Sequence, residues 1–242
     1  MTEIIKLEGV IIKKKDINDS DRLLTVFTTT FGKQSIIFKG INKSKRRDKT
    51  ASDVFSHSKF VVYKKGENFI ASSIDSINTF DNIKKDIEKI SIGLYICSIL
   101  NECLNFGERN SKIYDLSLKS FGYLSKEENL TKNYILLLFF IYKILIEEGV
   151  SFKVEEGSYF SIVNSILGEK KYEDSIFLTP REEKIVKKIY TGNVRELLCE
   201  ELSSKDIFSV LKIFEKYFNY HLEGNLNLKK YIWEAEWNGR YS

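Results

Sequence analysis

The stretch that decides the fold is "EGVIIKKKDINDSDRLLTVFTTTFGKQSIIFKG", residues 8–40. It holds three short runs rich in β-branched and aromatic residues, separated by "DINDSD" and by Phe31-Gly32. Asp, Asn, Ser and Gly are the residues that tolerate turn geometry, so the pattern is strand, turn, strand, turn, strand. The first run begins upstream, as "IIKLEGVIIKK", with Gly9 in its middle, where a strand is expected to bend or bulge. Downstream, "FSHSKFVVYKK" and "FIASSIDSIN" supply two more strands, joined by Gly66-Glu67-Asn68 as a tight hairpin. Five strands with a long connection between the third and fourth outline an OB-fold barrel, although an SH3-like barrel would show nearly the same pattern.

That long connection is "KGINKSKRRDKT", residues 39–50, with six Lys or Arg against one Asp. The whole chain of 242 residues carries a formal net charge of only +4. The excess is concentrated: residues 1–80 hold 15 Lys and Arg against 9 Asp and Glu, and the remainder holds 23 against 25. Such asymmetry suggests that the first third meets a polyanion. The cations group as Lys13, Lys14 and Lys15 at the end of the first strand, Arg22 at the start of the second, and Lys39, Lys43, Lys45, Arg46, Arg47 and Lys49 after the third. In a simple meander the first turn and the loop after the third strand are expected at opposite ends, brought onto one groove only by barrel tilt. Phe38, Phe60, Tyr63 and Phe69 are candidate platforms for stacking bases, or else core residues of the barrel.

From Asp81 the apolar period becomes helical, with Ile83, Ile87, Ile90, Leu94 and Tyr95 at spacings of three and four and Asp81 or Asn82 as the cap. Further helices are expected over 111–124 and 131–148, from Thr179-Pro180-Arg181-Glu182 onward, and from Ser203 to about Leu222. Between Gly149 and Thr179 the pattern is one of short strands or loops. The expectation is a multidomain α and β protein, with a barrel over 1–80 followed by an all-helical C-terminal domain over 81–242. No Pro, Gly and Ser-rich linker separates them.

Chemistry-bearing motifs are scarce. There are two histidines, His57 and His221, in different halves, and no phosphate-binding glycine loop, dinucleotide fingerprint or H-E-x-x-H. Asp16, Asp19 and Asp21 share one turn and would be the place for a nuclease metal, but a solvated turn between two strands is the expectation for them. The three cysteines, Cys97, Cys103 and Cys199, form no C-x-x-C pair and read as core thiols in a reducing cytoplasm. The longest apolar run, Tyr134 to Ile146, is too short to span a bilayer and is expected to be a buried helix. The first residues carry an acid at position 3 and no long apolar run, unlike a signal peptide. A binding protein with no enzyme activity is expected.

The ordered series "EGV", "SDRLLTVFT", "FGK" and "KG" followed by "KSKRR" resembles the N-terminal signature of the RecO family of bacterial recombination mediators, and "YFNYHLEGNL" is similar to its last helix. The resemblance implies an N-terminal OB-fold that binds single- and double-stranded DNA and a helical C-terminal domain. It implies annealing of complementary strands coated by single-strand-binding protein, capture of that protein's acidic, apolar-tipped C-terminal tail, and loading of RecA together with RecR. By this likeness Lys39, Lys43, Lys45, Arg46 and Arg47 match the family's basic loop and Arg22 its "SDR" position. Many members carry two C-x-x-C pairs that suit a structural zinc; here Phe152 to Leu178 contains no cysteine, so the insert is expected to be a degenerate zinc-finger-like element without metal. No cofactor and no membrane contact are expected. An OB-fold RNA-binding protein, a nuclease and an adaptor for an acidic protein remain the competing readings.

Overall fold

The computed structural model describes residues 3–65 and 68–232. It divides into two compact units between Ser125 and Lys126. The first contains β1 (Ile4–Asp16), β2 (Arg22–Thr28), β3 (Gly32–Phe38), β4 (His57–Lys65) and β5 (Asn68–Asn78). They close into a barrel in the order β1-β2-β3-β5-β4, with β4 returning to β1. The β3–β5 pair is parallel and the other pairs are antiparallel, which is the Greek-key closure of an OB-fold. Of the Gly66-Glu67-Asn68 hairpin, the first two residues lie outside the described residues.

Alternation builds the barrel. Leu24 and Val26, Ile36 and Phe38, Phe60 and Val62, and Phe69 and Ala71 point into one core cluster, two positions apart along their strands. Ile74 joins them three residues beyond Ala71, because the β4–β5 register shifts between Val61 and Val62. Each large apolar side chain buried there contributes roughly 1.5–3 kcal/mol. Gly9 is not the bulge. Its pairing is regular, and the register shifts between Ile11 and Lys13 instead. A Cβ at Gly9 would lie 2.6 Å from Val26 Cγ1 and 2.7 Å from the Phe27 carbonyl oxygen, so glycine is required by the close approach of β2.

Two helices, α1 (Ile87–Cys103) and α2 (Ser111–Lys126), complete the first unit. The change of period at Asp81 therefore precedes the packing boundary by two helices. Asp81 and Asn82 do not cap α1. A short 3-10 turn, Ile83–Lys85, intervenes, and the Asp86 carboxylate accepts from the backbone N–H groups of Glu88 and Lys89. Tyr114 of α2 meets Phe27 edge-on at 5.5 Å between ring centroids, and Phe121 packs between Phe55 and Phe80.

The second unit holds α3 (Leu130–Glu147), α4 (Pro180–Tyr190), α5 (Val194–Leu198) and α6 (Ser204–His221). Thr179 and Glu182 form both halves of the expected capping box. The unit is not all-helical: β6 (Lys153–Val154), β7 (Tyr159–Ser161), β8 (Ile166–Gly168) and β9 (Ile176–Phe177) form a small sheet in the order β6-β8-β7-β9. Phe152 anchors it, with Tyr142, Phe160, Phe214 and Tyr217 around its ring at 5.0–5.6 Å. Most apolar residues of α3 and α6 are buried in this packing, whereas Ile146 and Tyr220 are exposed. Cys97 is buried as expected, but Cys199 is exposed rather than a core thiol. No helix of the described residues is long and apolar enough to cross a membrane.

Candidate nucleic-acid interface

Strand direction alternates along β1, β2 and β3, so the loops leaving β1 and β3 emerge at the same end of the barrel. The register shows it directly: Arg22 lies opposite Asp16 on one side and Phe38 on the other. The expectation that the first turn and the basic loop sit at opposite ends is corrected. No barrel tilt is needed to unite their charges.

Facing follows from the same register. Leu24 and Ile36 point inward, so Leu23, Thr25, Ser35 and Ile37 point outward, and directly opposed residues share a face. Lys13 opposes Thr25 and Lys15 opposes Leu23, which puts both lysines on the outer surface of the β1–β2–β3 sheet. Lys39 follows at the end of β3. Lys13, Lys15, Lys39, Lys43, Lys45 and Arg46 are all exposed and form no ion pair among the described residues.

The other four cations of the group are engaged within the protein, Lys49 through its bond to the Asn42 carbonyl oxygen. Lys14 pairs with Asp53 at 2.5 Å. Arg47 donates to the Lys39 carbonyl oxygen at 2.8 Å, and its guanidinium lies 5.1 Å from the centroid of the Phe38 ring. Arg22 is only 8% exposed. It points inward at the barrel mouth, where Nε donates to Asp16 Oδ1 at 3.0 Å, one terminal nitrogen to Ser52 Oγ at 2.9 Å and the other to Asn42 Oδ1 at 3.2 Å. Asp53 lies 3.7 Å from the same guanidinium.

The basic loop is thus an ordered element. Ile41 and Ala51 enter the barrel core. The Asn42 N–H donates to the Ser20 carbonyl oxygen, and the Gly40 N–H to Asp21 Oδ1 at 2.8 Å. Gly40 adopts φ of +68°, a left-handed turn that glycine accepts freely. Ser44 Oγ accepts from the Arg46 and Arg47 N–H groups, and Lys49 Nζ donates to the Asn42 carbonyl oxygen. Hydrogen bonds to the carboxylates hold them below the usual range: Asn42 and then Arg22 act on Asp16, the Gly40 N–H and then Ser20 on Asp21, and Thr50 on Asp48.

Asp16 and Asp21 are therefore spent on Arg22 and on the loop backbone, and Asp19 is left exposed. Among the described residues no three His, Cys, Asp or Glu side chains gather as metal ligands. His57 Nε2 lies 2.8 Å from Glu8 Oε1 and 3.0 Å from the Tyr114 hydroxyl, joining β1, β4 and α2. Burial pushes the Tyr114 hydroxyl pKa up. His221 meets the Ile162 carbonyl oxygen at 2.8 Å and holds the small sheet to α6. Of the four candidate stacking residues, Phe38, Phe60 and Phe69 belong to the barrel core, and only Tyr63 is half-buried. The anchors Asn42, Ser52 and Asp53 were not singled out from sequence. A polar residue beside a glycine turn was the available signal for Asn42.

Two family models match the chain: residues 1–80 fit "Recombination protein O N terminal", and residues 84–230 fit "Recombination protein O C terminal". Among named relatives, DNA repair protein RecO of Acetivibrio thermocellus is 24% identical over 242 residues, covering 94% of this chain and 96% of the relative. The protein of the same name from Caldanaerobacter subterraneus subsp. tengcongensis is 26% identical over 243 residues, with the same coverage of each. That of Clostridium kluyveri is 29% identical over 118 residues, covering 49% of this chain and 46% of the relative.

Proposed function

The chain belongs to the RecO family of DNA repair and recombination proteins, and we propose on that footing that it is a DNA-binding recombination mediator without enzyme activity. The observation that carries the reading is the set of cations with no ion pair among the described residues, Lys13, Lys15, Lys39, Lys43, Lys45 and Arg46, displayed on the outer face and at one end of an OB-fold barrel. Cations that are exposed and unpaired can neutralise phosphates and release their counterions. Contacts of this kind position a strand without reading its sequence, which leaves bases free to pair.

In this reading the protein holds two complementary strands, single or already partly duplex, with their phosphate repulsion reduced, and anneals them while single-strand-binding protein coats them. With RecR it helps place RecA on the coated DNA. No bond is made or broken. The second unit serves the coat protein's acidic, apolar-tipped tail. Tyr134–Ile146 and Ile207–Phe218 are the apolar helical stretches that could wall a groove for it, but the space between them is occupied by the packing of α3 and α6 themselves. Support for a receptor comes from another face of α3, where Lys132, Leu136, Phe139 and Lys143 recur at spacings of three and four, all half-buried, with Lys143 over the Phe139 ring. The β6–β9 sheet corresponds in sequence position to the cysteine-bearing insert of other members and is held by Phe152 and its ring contacts.

The test uses two labelled complementary strands coated with single-strand-binding protein. Intact protein is expected to accelerate annealing, and the Lys43→Ala, Lys45→Ala, Arg46→Ala, Arg47→Ala variant to lose most of that acceleration. Strands incubated with Mg²⁺ or Mn²⁺ are expected to remain uncut. Annealing that is no faster with the protein than without it would sink the mediator reading.

A further inference from the structure

The ten cations grouped at this end of the barrel look alike in sequence, yet one is built into the wall. The Arg22 guanidinium uses Nε and both terminal nitrogens on three separate segments: Asp16 at the end of β1, Asn42 at the start of the basic loop, and Ser52 in the 3-10 turn Thr50–Ser52 near its end. Ser52 Oγ in turn donates to the Lys49 carbonyl oxygen at 2.8 Å, so the contact closes on the loop itself. Ser52 is fully buried and Arg22 nearly so. A guanidinium is a rigid planar fork of five donors, and an ammonium cannot span three such acceptors at once.

A phosphate that reached Arg22 would have to displace Asp16, Asn42 and Ser52 from around it. We infer that Arg22 is a positioning residue for nucleic-acid binding: it clamps both ends of the 39–53 connection to the barrel mouth, so that Lys39, Lys43, Lys45 and Arg46 meet a backbone already held in place. The inference rests on the proposed reading that this loop binds DNA. It goes further by separating the cation that builds the site from those that touch the ligand. A loop ordered beforehand spares binding the entropy of ordering it.

Two variants test the clamp. Arg22→Lys keeps the charge and loses the fork, and Asn42→Ala removes one arm while leaving Arg22 in place. Each is measured in the full chain for unfolding midpoint, for backbone amide exchange of the DNA-free protein, and for affinity to a single strand as a function of salt. The clamp predicts faster exchange at Gly40, Asn42, Ser44 and Ser52 in both variants, with exchange at Val26 and Ile36 unchanged. It predicts affinity roughly tenfold weaker in both, although neither loses a phosphate-binding charge in this account. A direct phosphate ligand predicts the opposite: Arg22→Lys retains affinity, Asn42→Ala is silent, and loop exchange does not change. That pattern would overturn the inference. If only the intact protein's lack of DNA affinity is found, the functional reading fails, and the exchange data still decide whether the clamp exists.

Discussion

The two ends of the barrel each bury a cation, and they use it in different ways. At one end Arg22 is surrounded by Asp16, Asp53, Asn42 and Ser52, so its charge is answered and its donors are filled. At the other, Lys33 is 6% exposed. Its ammonium donates to the Asn101 carbonyl oxygen at 2.7 Å and lies 4.8 Å from the centroid of the Phe106 ring. Burial lowers its pKa from the model-compound value of 10.5. The first arrangement organises a surface loop that carries further charge. The second joins strand to helix, with backbone contacts completing the seal: the Gly107 N–H donates to the Lys33 carbonyl oxygen, and Gly32 packs on Glu108. A buried cation with its donors filled by side chains of the loop suits a site that must present charge, and one bonded to a helix carbonyl beside a ring suits a joint that need only hold.

The sharpest way to break the joint is Gly32→Ala. Gly32 has φ of +63°, and a Cβ there would fall 1.8 Å from the Glu108 carbonyl oxygen. Backbone strain and a clash with another segment's backbone act together, so we expect a loss of about 3 kcal/mol or more in denaturant unfolding. The charged end should not respond alike, and loop-cation variants are expected to unfold within about 0.5 kcal/mol of the intact protein.

Lys33→Met sharpens the contrast through pH. The folded-state pKa of Lys33 is depressed, so between it and 10.5 the unfolded chain binds more protons than the folded one. Stability of the intact protein therefore rises with pH across that window relative to Lys33→Met, in which the dependence is absent. Near neutral pH the variant is expected to lie within about 1 kcal/mol of the intact protein, since loss of one hydrogen bond offsets relief of a buried charge. Thermal melts at several pH values would show it, and parallel curves would refute it.

The smallest effect is expected at the mouth in acid. Asp16, Asp21 and Asp48 have folded-state pKa values below the usual 3.8, held there by hydrogen bonds to the carboxylates. Their contribution is fully present above about pH 4 and is lost as pH falls through those lower values. The Gly40 and Thr50 amides, which donate to Asp21 and Asp48, should then lose protection while the Val26 and Ile36 amides keep theirs. Simultaneous loss throughout the barrel would mean that the mouth is no separate unit.

Much of this was legible in the sequence. Five strands of seven to thirteen residues are long enough to display a period of two, and the basic loop stands out by composition alone. The Thr179 capping box was readable because Pro180 and Glu182 stand at fixed offsets from it. The small sheet was not, because strands of two or three residues show no period. Helix α1 began late because Asp81, Asn82 and Asp86 are equally good caps, and only the 3-10 turn over Ile83–Lys85 selects the last. The common end of the β1 and β3 loops was within reach, since two reversals of direction restore the first. The inward turn of Arg22 was not, because an arginine beside a strand end looks the same whether it faces solvent or the barrel mouth.

The most direct test of the account is single-strand affinity against salt concentration, for the intact protein and for the variant with Lys43, Lys45 and Arg46 changed to Ala. Single-strand binding weakens with a log–log slope of about 0.7 per phosphate neutralised. The account predicts a steep slope for the intact protein, shallower by about 2 in the variant, with the unfolding midpoint unchanged. Equal slopes and equal affinities would place the DNA site elsewhere on the molecule and contradict the account.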